Sequence, residues 1–300
     1  GGAWRKRTQN TSWYNEALNT ATRGARKEFP SVAVIVAASA QVTIYDGDDP
    51  DMPMWMVFTG NSDRIINASN TAVQCLNGAM WVPHYNWGLS EINFIKDEGW
   101  RHRNNVSSAY YGKFLAPISE RNSSNAHSKS DYIGALVDGL CNDIAMTVLP
   151  NAPIDTATGL PVPTIAVATN GGVSVITDSG AVYDSDYTEA IRDVAFDGDN
   201  TLFYMRNSSS YLLLMAEPAG YTSADGFGAS IASSGVGGQE FDLISVRSQT
   251  TMAFSKGFVA SGGVSTTAGS RLLGLYDIDK SNLTNTMAAG IHYDYNTGWM

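Results

Sequence analysis

The 300-residue chain has two cysteines, Cys75 and Cys141, and four histidines. Two cysteines are too few for a disulfide scaffold or a zinc cluster, and the simplest expectation is a pair of free, buried thiols. His84, His102, His127 and His292 show no metal-ligand spacing. Charged residues are scarce at 16%, and no apolar run approaches the length of a membrane span. The apolar stretch at residues 32–40 is short enough to be a strand. Nucleophile-elbow, zinc-protease and phosphate-loop motifs are all absent, so no enzyme class is named by a motif. Positive charge thins along the chain. The first 130 residues carry 13 Lys and Arg against 11 Asp and Glu, the remaining 170 carry 6 against 18. That acidic half disfavours nucleic-acid binding, which relies on Lys and Arg at phosphates. The chain starts Gly1-Gly2, ends HYDYNTGWM and shows no signal peptide. It reads as a fragment of a longer polypeptide or a processed product.

Glycine, by contrast, is plentiful at 29 residues, which suits a turn-dense fold. Residues 163–178, PTIAVATNGGVSVITD, read as two strands around a turn at Asn170-Gly171-Gly172. Asn-Gly supplies the positive φ angles a tight hairpin needs. Similar hairpin patterns begin near residues 32, 79, 164, 201 and 256. Units recurring at blade-like spacing predict an all-β chain, a β-propeller of about five to seven blades. The widest gap, between 79 and 164, predicts a missed blade or a long insertion. An irregular β-sandwich is the alternative. Within the strands of the five units, Val34, Val36, Ile44, Ile165, Val167, Val175, Leu202, Phe203, Leu213, Phe258, Leu273 and Leu275 are the expected buried positions.

Residues 1–30 differ in composition from the rest of the chain. They hold Arg5, Lys6, Arg7, Arg23, Arg26 and Lys27 but few apolar side chains. They are expected to be a basic N-terminal arm packed on another chain or domain, with residues 31–300 forming the propeller-like domain. Residues 97–130 read as an insert, and residues 218–239 as a glycine- and serine-rich loop.

Three groups of side chains are candidate sites. The aromatic cluster WVPHYNW places Trp81, His84, Tyr85 and Trp87 on or beside a bend. Exposed aromatics stack on sugar rings, whereas buried ones would pack between neighbouring sheets. Arg101 and Arg103 form a basic patch suited to an anionic surface group, or simply solvated loop charge. The turn DGDDPD clusters Asp46, Asp48, Asp49 and Asp51. Asp46, Asp48 and Asp51 suit a hard cation such as Ca2+, although Asp-Gly and Asp-Pro are also ordinary turn chemistry.

The segments TSWYNEALNTATRGARKEFPSVAVIVA, VTIYDGDDPDMPMWMVF, IAVATNGGVSVITDSGAVYD and HYDYNTGWM make the chain resemble β-propeller modules of tailed-bacteriophage virion proteins of the tail, fibre or spike type. The resemblance spans most of the chain. It implies a non-enzymatic structural protein of the extracellular particle, assembled in the host cytoplasm. The implied partners are other virion subunits, including copies of this chain, and a host-surface glycan. The chain departs from WD-type propellers, which close each unit with a Gly-His and Trp-Asp pair, and from the repeated S-x-D-x-G-x-T-W box of sialidases. A polysaccharide-degrading tailspike and a cellular glycan-binding or adhesion propeller are the alternative functions.

Overall fold

The computed structural model describes residues 2–104, 111–128, 135–185, 188–206, 213–216, 229–230, 251–255, 258–264, 271–277, 287–294 and 298–299, and side chains only within residues 5–205. The protein is all-β: five antiparallel sheets follow one another along the chain. Sheet 1 contains β1 (Ala33–Ala38), β2 (Gln41–Asp46) and β3 (Met54–Thr59). Sheet 2 contains β4 (Gln74–Leu76), β5 (Ala79–His84), β6 (Gly88–Asn93), β7 (Glu98–His102), β8 (Gly112–Phe114) and β9 (His127–Ser128). Sheet 3 contains β10 (Cys141–Thr147), β11 (Thr164–Thr169), β12 (Gly172–Ile176) and β13 (Val182–Asp184). Sheet 4 contains β14 (Ile191–Phe196), β15 (Leu202–Arg206), β16 (Leu213–Ala216) and β17 (Ala229–Ser230). Sheet 5 contains β18 (Thr251–Ser255), β19 (Phe258–Val264), β20 (Arg271–Asp277), β21 (Met287–Asp294) and β22 (Gly298–Trp299). Within each sheet the described strands pair in chain order, so their connections are local and none crosses over another strand.

All five hairpins legible in the sequence are present, as β1–β2, β5–β6, β11–β12, β15–β16 and β19–β20. At the Asn170-Gly171 turn, Thr169 pairs with Gly172, and the positive φ of 130° falls on Gly172 rather than on the Asn-Gly pair itself. The gap between the second and third units holds no further sheet among the described residues. Residues 97–130 are not an insert: they supply β7, β8 and β9, which widen sheet 2.

Successive sheets bury their faces on each other. Met80, Val82 and Ile92 of sheet 2 join Val42, Ile44, Trp55, Met56 and Phe58 of sheet 1 in one core cluster. The opposite face of sheet 2, with Ala79, Trp81 and Leu89, packs on Ile144, Ile165 and Val167 of sheet 3. Sheet 3 then turns Ala166, Ala168, Val173 and Val175 towards Ile191, Val194, Leu202 and Tyr204 of sheet 4. Alternate residues of one strand point to opposite faces. A strand sandwiched in this way must be apolar at nearly every position, and β5 and β11 are buried throughout.

Of the expected core positions, Ile44, Ile165, Val167, Val175, Leu202 and Phe203 are buried. Val34 and Val36 are not. They lie on the outer face of β1, where no described residue covers them, and are 37% and 47% exposed. The side chains of Leu213, Phe258, Leu273 and Leu275 lie outside the described set, as does nearly all of residues 218–239. Cys141 is buried as expected, but Cys75 is exposed, and neither forms a disulfide.

Residues 1–30, expected to be an arm packed on another chain or domain, contribute side chains to the core of this one. Trp13 is fully buried in the core shared by sheets 1 and 2. Arg23 is fully buried too, and its guanidinium donates to the carbonyl oxygens of Arg26, Lys27 and Trp55. Its backbone bridges to Met56, and Val57 N–H donates to Thr22 O at 3.0 Å, so this segment lies along the edge of β3. Gly24 permits that approach: a Cβ there would meet Met54 O at 2.0 Å. A count of charges misleads here because Arg23 is spent on backbone carbonyls and Arg26 on the Asp46 and Asp48 carboxylates. The few aromatics, meanwhile, are large and well packed.

Candidate functional site

The β5–β6 hairpin carries two candidate features, its turn and the face that it presents to sheet 3. At one end, Pro83 pairs with Leu89 and His84 with Gly88, leaving Tyr85, Asn86 and Trp87 as the turn. Asn86 and Gly88 both adopt left-handed φ, 74° and 76°. Gly88 also lies against His102 O, which a Cβ would meet at 2.1 Å. The turn therefore depends on Gly88 for both its conformation and its space. Tyr85 is 46% exposed. Trp87 is half-buried, with the Arg103 guanidinium 4.9 Å from its ring centroid. Arg103 Nη2 also reaches Asn86 O at 3.4 Å.

Tyr85, Trp87 and Arg103 thus meet at one exposed turn. The other expected contact residues do not join them. Trp81 and His84 lie within β5 on opposite faces, and both side chains are buried. His84 Nε2 lies 2.8 Å from Ser90 Oγ, and its burial, together with the charge of Arg101, holds its pKa well below the ordinary histidine value. A Ser–His pair can serve nucleophilic catalysis, but both side chains are fully buried and no substrate reaches them. Arg101 is 1% exposed and donates to Ser62 O and Arg64 O, each at 2.7 Å. Burial lowers its pKa to about 9, with the Arg103 charge adding to the effect and Asp63 opposing it. Arg101 braces the 62–64 loop and cannot act as a surface patch.

The acidic turn already has a cation. Arg26 Nη1 lies 2.8 Å from Asp46 Oδ1 and 2.6 Å from Asp48 Oδ2. Asp48 also accepts the backbone N–H groups of Ser31 and Val32. Those donors hold the Asp48 pKa down, the Ser31 N–H most strongly, against a desolvation effect in the other direction. Asp51 donates its own N–H to Asp49 Oδ1 at 3.0 Å, so its part is that of a turn residue. The expected calcium ligands Asp46 and Asp48 are therefore engaged by a guanidinium. No metal-binding group of His, Cys, Asp and Glu occurs among the described residues.

The face of the same hairpin that is turned towards sheet 3 lines a cavity of about 150 Å3, which runs from the β4–β5 turn at Leu76 and Asn77 to Trp81, midway along β5, and to His102, whose backbone lies beside Gly88. Sheet 2 contributes Trp81, Glu91 and His102, which stand on three adjacent strands. Trp81 pairs with Glu91 across β5 and β6, and its ring stacks on His102 at 5.3 Å with an interplanar angle of 23°. Glu91 Oε2 lies 3.4 Å from His102 Nε2. The β6–β7 turn and the β10–β11 connection close the rim through Lys96 and Asp155, 2.5 Å apart. Burial opposes the Lys96 charge, but Asp155, Glu91 and Glu98 together raise its pKa above the ordinary lysine value. Trp81 is 4% exposed, and its indole N–H has no hydrogen-bond partner among the described residues.

Among these cavity residues only Trp81 and His102 stood out in the sequence, Trp81 as a contact candidate and His102 as one of four scattered histidines. Glu91 was within reach of the hairpin register, because it sits directly across from Trp81. Asp155 had no sequence signal, since the long β10–β11 connection brings it to the cavity only in the folded chain.

No family model and no curated protein matches the chain. Several solved structures are similar at low identity. The computationally designed Ika8 protein is 12% identical, with a TM-score of 0.41 over 83% of this chain and 56% of that one. PorZ, a surface component of the type-IX secretion system of Porphyromonas gingivalis, is 12% identical, with a TM-score of 0.42 over 88% of this chain and 32% of PorZ. A putative 6-phosphogluconolactonase from Bacteroides fragilis is 9% identical, with a TM-score of 0.43 over 88% and 68%. The chain therefore spans about half the length of the designed protein and about a third of PorZ. Likeness at this level assigns no activity to the chain.

Proposed function

We propose that this chain is a β-propeller-like, non-enzymatic contact module of a tailed-bacteriophage virion, packed beside other virion subunits and meeting a host-surface glycan through the Tyr85–Trp87 turn. The observation that carries the contact role is the grouping of Tyr85, Trp87 and Arg103 on an exposed turn fixed at both ends by strand pairing. A tyrosine and a tryptophan offer apolar faces to sugar rings, and the nearby guanidinium offers donors to hydroxyl or acidic groups. Rigid strands holding a recognition loop are a common way to build such a surface. The propeller reading is supported by consecutive meanders stacked face to face, with the first strands of sheets 3, 4 and 5 (β10, β14 and β18) packed in succession. The virion assignment is supported by the resemblance of the entry segment, the DGDDPD stretch, the β11–β12 hairpin and the chain's ending to phage tail, fibre and spike modules. No cofactor is needed for this role.

Two measurements test it. Mass spectrometry of purified virions is expected to find the chain in multiple copies, and its absence from particles overturns the virion assignment. The double variant Tyr85→Ala, Trp87→Ala is expected to lose host-cell binding while melting within a few degrees of the parent. Binding that survives both substitutions removes the turn from the contact surface.

A further inference from the structure

Sheets 3 and 4 meet along their first strands, β10 and β14, and both strands carry the same irregularity. The β10–β11 register shifts between Cys141 and Asp143, and the β14–β15 register shifts between Ile191 and Asp193. Asn142 and Arg192 are thus the extra residues of two β-bulges, which re-aim the side chains beside them. Asp143 and Asp193 occupy matching positions in neighbouring sheets. Asp143 Oδ2 accepts the Val194 N–H at 3.1 Å across the seam, and its carboxyl hydrogen-bonds the side chain of Asp193, which is 7% exposed. Beside them Asn142 Nδ2 donates to Ile191 O at 2.7 Å. We propose that this seam is a pH-sensitive clamp: the Asp143–Asp193 pair holds one proton between its carboxyls, and loss of that proton loosens sheet 3 from sheet 4.

The contact itself requires the proton. An ionised carboxylate is an acceptor alone, so two carboxyls hydrogen-bond each other only when one of them carries a hydrogen. With both ionised, like charges face each other at close range in a site partly shielded from water. Burial raises the Asp143 pKa above the ordinary carboxylate value, although the Val194 and Ile144 N–H groups and the Asp193 contact pull it down. The folded chain therefore keeps a proton that the unfolded chain has released. The resulting stabilisation is complete below the ordinary carboxylate value of about 4 and is lost as pH rises through the folded value. Little other charge surrounds the pair. β11 has no ionisable side chain, β4 brings Cys75, β5 brings His84, the loop before β10 brings Asp138, and β14 adds Arg192 on its exposed side. None of these acts on Asp143, whereas Asp193 does. His84 in sheet 2 works in the opposite direction, because its lowered pKa penalises acid rather than base.

Hydrogen-exchange mass spectrometry of the full chain between about pH 4 and pH 8, corrected for the intrinsic pH dependence of exchange, tests this. Peptides covering β10 and β14 are expected to open more readily as pH rises, by up to about tenfold per pH unit until the pair has ionised. Peptides covering β2 and β3 are the reference and are expected to show no such rise. Asp143→Asn and Asp193→Asn each replace the shared proton with a permanent N–H donor, and each is expected to flatten the rise. Asn142→Ala removes a seam hydrogen bond that involves no titrating group, and is expected to increase opening by the same factor at every pH. The proposal is overturned if β10 and β14 of the parent open no more at pH 8 than at pH 4 relative to the reference. It is equally overturned if Asp143→Asn and Asp193→Asn proteins, shown by melting to be folded, keep the parent's rise. Should neither variant fold, the parent comparison alone decides. No outcome bears on host-cell binding through the Tyr85–Trp87 turn, so the two readings fail separately.

Discussion

Trp13 donates its indole N–H to the carbonyl oxygen of Phe94 across 2.7 Å, joining the N-terminal segment to the β6–β7 turn. The Trp13 ring also meets the edges of Trp55 and Phe94, with centroid distances of 5.5 and 6.0 Å. Trp13→Ala is therefore expected to destabilise the protein by about 3–5 kcal/mol, the range for emptying a buried aromatic site. Urea unfolding checks this. An unchanged midpoint would mean that residues 1–30 are dispensable to the core.

Arg121 ties three parts of the chain together. Its Nε donates to Val57 O at 2.7 Å, its Nη1 to Glu16 Oε2 at 2.7 Å and its Nη2 to Thr22 O at 2.8 Å. With the guanidinium buried, Arg121→Met is expected to cost about 3–5 kcal/mol, because Glu16 and two carbonyls lose their main donor. Adding Glu16→Gln is expected to recover part of that loss, which a double-mutant cycle in urea measures.

Trp81 and Tyr85 are four residues apart yet should respond in opposite ways. Trp81→Ala empties a position packed between sheets 2 and 3 and is expected to cost about 3–5 kcal/mol. Tyr85→Ala removes an exposed ring and is expected to stay within about 0.5 kcal/mol of the parent. Equal losses in thermal melting would show that the turn is part of the core.

His127 makes the fold sensitive to acid. Burial, reinforced by the charge of Arg101 and opposed by Asp63, lowers its pKa to about 3. An unfolded histidine titrates near 6.5. Below that pH the unfolded chain takes up a proton that the folded chain refuses. His127 thus costs nothing above about pH 6.5, and between there and pH 3 it erodes stability by about 1.4 kcal/mol per pH unit. His84 acts in the same direction. His127→Gln is expected to flatten the slope of stability between pH 6 and pH 4. Parallel slopes for parent and variant would show that His127 protonates in the folded state.

The Arg26 guanidinium occupies the place expected for calcium between Asp46 and Asp48. Millimolar Ca2+ is therefore expected to leave the melting temperature of the parent unchanged. Arg26→Met removes the cation from both carboxylates, and a calcium-dependent rise in melting temperature is expected in that variant. A rise in the parent would mean that calcium displaces the arginine.

The hairpins were legible because their signals are local. A strand such as Thr164–Thr169 is written in consecutive apolar and β-branched residues, and its turn in Asn170, Gly171 and Gly172. Exposure was less legible. Val34 and Val36 in β1 look like Ile165 and Val167 in β11, yet the first pair is exposed and the second buried. The difference lies in whether another sheet covers that face, and nothing within either strand encodes it.

The candidate site divides in the same way. Trp81 and Trp87 belong to one aromatic cluster in the sequence, but β5 carries Trp81 into the sheet 2–sheet 3 contact and the turn leaves Trp87 beside Arg103. Glu91 and His102 reach Trp81 through strand pairing, and Asp155 arrives from 64 residues beyond Glu91 through a loop. By itself the sequence determined the all-β class and the positions of the hairpins, because φ/ψ preference and turn chemistry act between near neighbours. Only the tertiary structure decided which apolar faces were covered, that Arg23, Arg101 and Arg121 were interior braces, and where a cavity remained. Those outcomes depend on surfaces brought together from distant parts of the chain, where burial and hydrogen-bond satisfaction, not local propensity, set the free energy.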